Sequence, residues 1–254
     1  MEINKIYNEN CLETMARMPD NFVDLTVTSP PYNINGTNRY NNFKLNYDVY
    51  NDNLPIDKYF DFINDIIIEL LRVTKYHIFF NIAELSGNKG ILKNILTKFN
   101  NNIKDIFIWA KNNPMPFVTN GTIQSSFEYI ICISKDFPKQ KKFTYHNFKN
   151  RLVTNCLIHS VNSGKENDVH SFAFPMWLPE YFINHFSKEE DLIYDPFMGS
   201  GTTAKMALLL KRNFIGSEIS KKYCEIAEKR IKQNTGFFEL EFLNKNTEKQ
   251  DKFF

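Results

Sequence analysis

The chain has 254 residues, 43% hydrophobic and 24% charged, which suits one sizeable globular unit and excludes a fibrous or disordered composition. No run approaches the roughly 20 apolar residues of a membrane span, and Met1-Glu2-Ile3-Asn4-Lys5 lacks the apolar core of a signal peptide, so a cytoplasmic protein with no membrane partner is expected. The net charge of +2 leaves nucleic acid open as a partner only if positive charge is concentrated locally.

Taken in chain order, the first apolar pattern predicts a strand at Lys5–Tyr7, a helix at Cys11–Met18 and a strand at Asp24–Thr28. A helix at Ile56–Val73, a strand at His77–Ile82 and a helix at Asn88–Phe99 follow. Strands at Asp105–Ala110 and Phe127–Ser134 come next, then a helix at Trp177–Phe186 and a strand at Leu192–Asp195. A helix at Gly201–Leu210, a strand at Phe214–Ser217 and a helix at Ser220–Gln233 complete the series. Several of these strands are apolar without alternation, as strands covered on both faces are. Strands alternating with helices predict an α/β fold, a doubly wound and mostly parallel seven-stranded sheet in a single domain over 1–254. The tail after Asn234 is polar apart from its Phe residues and is expected to fray.

One stretch breaks the alternation. Residues 137–165 carry Lys139, Lys141, Lys142, Lys149, Arg151 and Lys165, interleaved with Phe143, Tyr145, His146 and Phe148. Such a stretch is either a solvated loop or a groove for a phosphate backbone and unstacked bases. It reads as an insertion on the sheet, with Lys139, Lys141, Lys142, Lys149 and Arg151 as candidate DNA-binding residues. The four cysteines, Cys11, Cys132, Cys156 and Cys224, form no CxxC pair, so reduced thiols and no metal site are expected.

Two segments carry chemistry. Asp195-Pro196-Phe197-Met198-Gly199-Ser200-Gly201-Thr202-Thr203 follows a strand and opens a helix. Its glycines let a ligand approach the backbone at the strand's carboxyl end. No Gly-Lys-Ser/Thr ends it, so it is not a Walker loop. The next strand, Phe214-Ile215-Gly216-Ser217-Glu218, ends in an acid suited to ribose hydroxyls. The second segment is Ser29-Pro30-Pro31-Tyr32-Asn33, where two prolines force the chain out of a strand.

The glycine segment and Glu218 resemble motif I and the ribose-binding acid of DNA amino-methyltransferases. Ser29-Pro30-Pro31-Tyr32 resembles motif IV of the same family, (Ser/Asp/Asn)-Pro-Pro-(Tyr/Phe). The catalytic segment precedes the cofactor segment, the permuted order of the β group, which is typical of restriction-modification systems. The resemblance implies S-adenosylmethionine as cofactor, bound by Asp195, Pro196, Phe197, Gly199, Ser200, Gly201, Thr202 and Glu218. It adds Asn10 and Cys11, from Asn10-Cys11-Leu12-Glu13 beside the adenine, and His170 and Phe174, from a motif X-like His170-Ser171-Phe172-Ala173-Phe174-Pro175. It implies double-stranded DNA as partner, with target recognition between the two motifs, and brings a homodimer and a cognate restriction endonuclease within the family's range.

The chemistry fits these residues. An exocyclic amino nitrogen is a poor nucleophile, because its lone pair is delocalised into the ring. Acceptors for both amino protons, the Ser29 hydroxyl and the Pro30 carbonyl, favour a tetrahedral nitrogen. Tyr32 is placed to stack on a base that has left the duplex. Ser-Pro-Pro-Tyr and the motif X variant favour cytosine N4, with adenine N6 as the alternative. Carbon-5 methylation needs a Pro-Cys nucleophile, and no Pro here is followed by Cys. A protein glutamine methyltransferase has Asn in place of Ser29 and the opposite motif order. An RNA amino-methyltransferase and an inactive DNA-binding module stay as rivals.

Overall fold

Long apolar runs broken by glycine, proline and capping residues become alternating strands and helices in a computed structural model. It describes residues 1–34, 52–114, 121, 123–135, 142–149, 152–161 and 175–234. The strands are β1 (Lys5–Tyr7), β2 (Val23–Thr28), β3 (Thr74–Ile82), β4 (Ile103–Lys111), β5 (Phe127–Ser134), β6 (Cys156–His159), β7 (Leu192–Asp195) and β8 (Asn213–Ser217). They form one sheet in the order β1-β8-β7-β2-β3-β5-β4-β6. All pairings are parallel except those of β5, which is antiparallel to both β3 and β4.

Helices α1 (Cys11–Ala16), α2 (Ile56–Val73) and α3 (Ile91–Lys98) sit with one apolar cluster; α4 (Trp177–Phe186), α5 (Thr202–Leu209) and α6 (Lys221–Asn234) sit with the other. Helix α2 shows why. Tyr59, Ile63, Ile66, Ile67, Leu70 and Val73 recur at helical spacing, and all are fully buried. Each such side chain contributes about 1.5–3 kcal/mol by leaving water. The helix stops where Thr74 turns to extended backbone and starts β3 without a loop. Opposite, Phe79, Phe107, Phe182 and Phe186 pack ring against ring, with Phe79 stacked on Phe182 at 4.2 Å. No helix among the described residues is long and apolar enough to cross a membrane.

The doubly wound, mostly parallel sheet is the expected one, with an eighth strand added. Strand β6 comes from the stretch read as an irregular insertion and extends the sheet beyond β4. Its sequence, Cys-Leu-Ile-His, buries only Leu157, so no apolar pattern announces it.

The described part of that insertion packs along one edge of the sheet. Residues 142–148 lie along the amino-terminal edge of the parallel strands. The Tyr145 carbonyl meets the His77 ring at 3.1 Å, and the Tyr145 hydroxyl donates to Asp191, just before β7. Asn147 N–H donates to the carbonyl of His185 at the end of α4. Phe143 is buried against His77 and Phe186, and Tyr145 stacks on Tyr76 at 3.5 Å. Phe143 therefore faces the core, and the half-buried Tyr145 is engaged by Tyr76 and Asp191. Lys142 and Lys149 are exposed on this edge, opposite the strand ends where Ser29 emerges. Lys139, Lys141 and Arg151 lie outside the described residues.

Between β7 and β2 the winding reverses. From β7 the chain passes through α5 to β8 on one side, and from β2 through α2 to β3 on the other. A crevice opens at the carboxyl ends of strands at such a reversal, and both chemistry-bearing segments leave the sheet there.

Candidate active site

Strand β2 ends at Thr28, and Ser29-Pro30-Pro31-Tyr32 carries the chain over the sheet edge. This exit is clamped. The Tyr59 hydroxyl donates to the Pro31 carbonyl at 2.9 Å, the carbonyl next to the one assigned to the substrate. Asn33, buried and left-handed at φ 58°, donates to the carbonyls of Leu54 (2.9 Å) and Gly87 (2.8 Å) and accepts from Leu54 N–H (2.7 Å). The Asp52 carboxylate accepts the N–H groups of Asn33 and Ile34. The clamp requires Gly87, where a Cβ would fall 1.7 Å from the Asn33 carbonyl oxygen.

Beside it, β7 ends in Asp195 and the glycine loop. The two segments touch directly: Thr28 Oγ donates to Asp195 Oδ1 at 2.7 Å across 167 residues of sequence. Asp195 also accepts from Thr203 Oγ (2.7 Å) and from the Phe197 N–H (3.0 Å). The carboxylate is therefore turned inward, where it holds the loop's shape from beneath. Burial pushes its pKa up to about 6, with the three donors opposing that rise.

The loop residues divide by task. Gly199 (φ 52°) and Gly201 (φ 83°) adopt backbone that favours glycine. A Cβ at Gly201 would lie 2.8 Å from the Ala227 Cβ, so this glycine also lets α5 pack on α6. Pro196 and Thr202 are buried, and Ser200 is held by the Arg230 guanidinium through its carbonyl and hydroxyl. Phe197 is half-buried, tilted against Phe62. Glu218, at the end of β8, accepts the N–H of Gly199 and of Ser220, each at 2.8 Å. Asn10 caps α1 by accepting the Leu12 N–H at 2.9 Å. Cys11 is buried near Asp195 and Glu218, and burial pushes its thiol up to about 12, so it packs as a neutral group.

The structure thus brings Ser29, Pro30, Pro31 and Tyr32 together with Asn10, Cys11 and the loop from Asp195 to Thr202 and Glu218. His170 and Phe174 lie outside the described residues. The donor and acceptor set fits S-adenosylmethionine. Glu218 offers a carboxylate that can accept from hydroxyl groups, Phe197 a half-buried ring, and Gly199 a backbone with no side chain above it.

Three functional candidates escaped sequence reasoning: Asn81 at the end of β3, Lys111 at the end of β4 and Glu128 at the start of β5. Asn81 Nδ2 donates to Tyr32 Oη and to Glu128 Oε2, both at 2.7 Å. Tyr32 Oη lies 3.1 Å from Glu128 Oε2 and 3.0 Å from Ser29 Oγ. Lys111 Nζ pairs with Glu128 Oε1 at 2.6 Å. Burial, then the charge of Glu128, hold the Tyr32 hydroxyl well above the usual phenol range, so it stays protonated. The available signal was a polar residue interrupting an apolar strand, as in His-Ile-Phe-Phe-Asn-Ile and Phe-Glu-Tyr-Ile-Ile, since buried polar groups require partners.

Comparison with known proteins agrees with this geometry. A family model described as DNA methylase, of the N6 and N4 type, matches residues 23–229. The orphan methyltransferase M.BamHII of Bacillus amyloliquefaciens is 30% identical, covering 83% of this chain and 89% of its own. The solved structure of M1.HpyAVI in complex with SAM aligns with a TM-score of 0.64 at 25% identity, over 89% of this chain and 98% of the other. The PvuII DNA methyltransferase, described as cytosine-N4-specific, shares the fold with a TM-score of 0.67 at 20% identity, over 89% and 85%.

Proposed function

The chain belongs to the DNA methylase family of N6 and N4 enzymes, S-adenosylmethionine-dependent DNA amino-methyltransferases, and from that premise we propose that it methylates N4 of cytosine in duplex DNA, on a base rotated out of the stack. One observation carries the reading. The hydrogen bond from Thr28 to Asp195 fixes Ser29, the next residue, beside the glycine loop, so an acceptor for an amino group and a site for a methyl donor share one crevice.

The bound cofactor supplies an electrophilic sulfonium methyl group. The chain's residues do the rest. Ser29 Oγ and the Pro30 carbonyl accept the two amino hydrogens and draw the nitrogen lone pair out of conjugation. Tyr32 presents its ring to the base while its hydroxyl is tied to Asn81 and Glu128. With the cofactor bound, its methyl group would be the electrophile for that nitrogen, the sulfonium would be the leaving group that keeps the electron pair, and the nitrogen would give up a proton to solvent. Fixed positions supply much of the acceleration. Asp195 shapes the loop, and Glu218 takes the ribose hydroxyls.

The choice of cytosine rests on Ser29 and on the segment from His170 to Pro175, both similar to N4 enzymes. DNA is assigned to the carboxyl edge of the sheet, where Ser29 and Tyr32 emerge, and not to residues 142–149. The test is direct. Incubate the protein with methyl-labelled S-adenosylmethionine and unmethylated duplex DNA, digest to nucleosides and separate them. Label in N4-methylcytosine is expected. Label in N6-methyladenine would overturn the choice of base, and label in neither would overturn the activity.

A further inference from the structure

We propose that Glu128, acting through Tyr32 and assisted by Asn81, fixes the Ser29 hydroxyl as a hydrogen-bond acceptor and lends it negative charge. This makes Glu128 and Asn81 positioning residues for the methylation reaction. The proposal rests on the assignment of Ser29 as the acceptor of the amino group.

The argument is a count of protons and lone pairs. A carboxylate can only accept. Glu128 Oε2 lies 3.1 Å from Tyr32 Oη, so Tyr32 spends its single proton on Glu128. The two lone pairs of Tyr32 Oη then face Asn81 Nδ2 at 2.7 Å and Ser29 Oγ at 3.0 Å. Two acceptors at 3.0 Å would repel, so Ser29 must donate to Tyr32. Its only proton is directed to Tyr32; Asn81 Nδ2 lies 3.5 Å from Ser29 Oγ, but its two hydrogens have nearer acceptors in Tyr32 and Glu128, so the Ser29 lone pairs are left for the substrate. A hydroxyl free to rotate would spend part of its time offering a proton to an amino group that has only protons to offer.

The orientation of Asn81 follows from the same count. Exchanging its oxygen and nitrogen would set an oxygen 2.7 Å from Glu128 Oε2, two acceptors in contact, so the amide must present Nδ2 to Glu128. Asn81 Oδ1 is then left buried with no donor among the described residues. An unsatisfied acceptor in the Ser29 cluster is what a site shaped for a donor group shows.

The charge has a source and a shield. Asn81 and Glu128 are 2% and 9% exposed, so the carboxylate acts where water screens it little. Lys111 Nζ pairs with the far oxygen at 2.6 Å. In the chain Ser29, Tyr32, Glu128, each hydrogen bond polarises the one before it. A neutral serine thereby gains some of the accepting strength that an aspartate would bring in its place.

The test is a double-mutant cycle on the full chain with duplex DNA and S-adenosylmethionine. Glu128→Gln retains the shape, but Lys111 must take its amide oxygen, which turns the amide N–H₂ toward Tyr32 and reverses the chain. Turnover should fall at least about tenfold, with cofactor affinity and the KM for DNA unchanged. Tyr32→Phe keeps the ring and cuts the connection, so adding Glu128→Gln to it should change kcat by less than about twofold. Equal turnover of Glu128→Gln and wild type overturns the proposal. So do losses that multiply across the two substitutions, because a structural role would be additive. If Glu128→Gln does not fold, Glu128→Gln with Lys111→Met, which removes the buried charge and its partner together, carries the same cycle. Absence of methylation by the wild type would refute the activity instead, a distinct result.

Discussion

Replacing Gly87 with alanine is the sharpest probe of the catalytic exit. The added Cβ would lie 1.7 Å from the Asn33 carbonyl oxygen and 2.7 Å from its carbonyl carbon. Carbon–oxygen contacts settle near 3.3–3.6 Å, so one of two backbone segments must move by well over an ångström. Both obstructing atoms are backbone, and the Asn33 segment is tied at Asp52 and Leu54. The first loss is the bond from Asn33 Nδ2 to the Gly87 carbonyl, and the Leu54 pair is strained with it. Two or three buried hydrogen bonds at about 1 kcal/mol each, with a further penalty for a stranded buried amide, give about 3 kcal/mol. Chemical denaturation of the two proteins measures that difference directly. Tyr32 is one residue from the displaced Asn33, so methyl transfer should fall by more than cofactor affinity does. A Gly87→Ala protein within about 0.5 kcal/mol of wild type, the range of an ordinary surface change, would refute the clamp.

Three further outcomes are expected. Burial lifts Asp195 to about 6 in the folded chain against about 3.9 unfolded, so its contribution to stability is fully present below the unfolded value and is lost as pH rises through 6. Unfolding free energies at pH 4 and pH 7 should show wild type gaining about 2 kcal/mol on Asp195→Asn as pH falls, and the opposite trend would contradict the inward-turned carboxylate. Glu218→Ala should weaken S-adenosylmethionine binding roughly ten- to a hundredfold in calorimetry, the worth of one or two charge-assisted hydrogen bonds, and unchanged affinity would remove Glu218 from the site. Lys142→Ala with Lys149→Ala should leave the salt dependence of DNA binding unchanged, and a shallower slope would return residues 142–149 to the DNA surface.

Most of the fold was legible because its signals are local. The stripe in α2 and the unbroken apolar runs of β3 and β5 repeat at fixed periods within one segment. Strand β6 carries no such period, since one buried leucine among four residues is no pattern. The basic stretch is ambiguous for a related reason. Phe143 and Tyr145 next to lysines look alike whether they stack on bases or on His77 and Tyr76, and only the sheet decides. The site divides likewise. Ser29-Pro30-Pro31-Tyr32 and the glycine loop are contiguous and readable, whereas Glu128 meets Tyr32 across 96 positions. That meeting depends on β5 running against its neighbours, so that its first residues reach the edge where β3 and β4 end.

The contact between Thr28 and Asp195 also sets a timetable for synthesis. Its partners are 167 residues apart, and at 5–20 residues per second the second emerges on the order of 10–30 s after the first. Strand β1 waits longer still for β8, its neighbour in the sheet among the described residues. During that interval the nascent chain carries the Ser29 segment without the loop from Asp195 that pins it. The contact that joins the two chemistry-bearing segments therefore forms late in synthesis, and a fragment ending before Asp195 lacks it altogether.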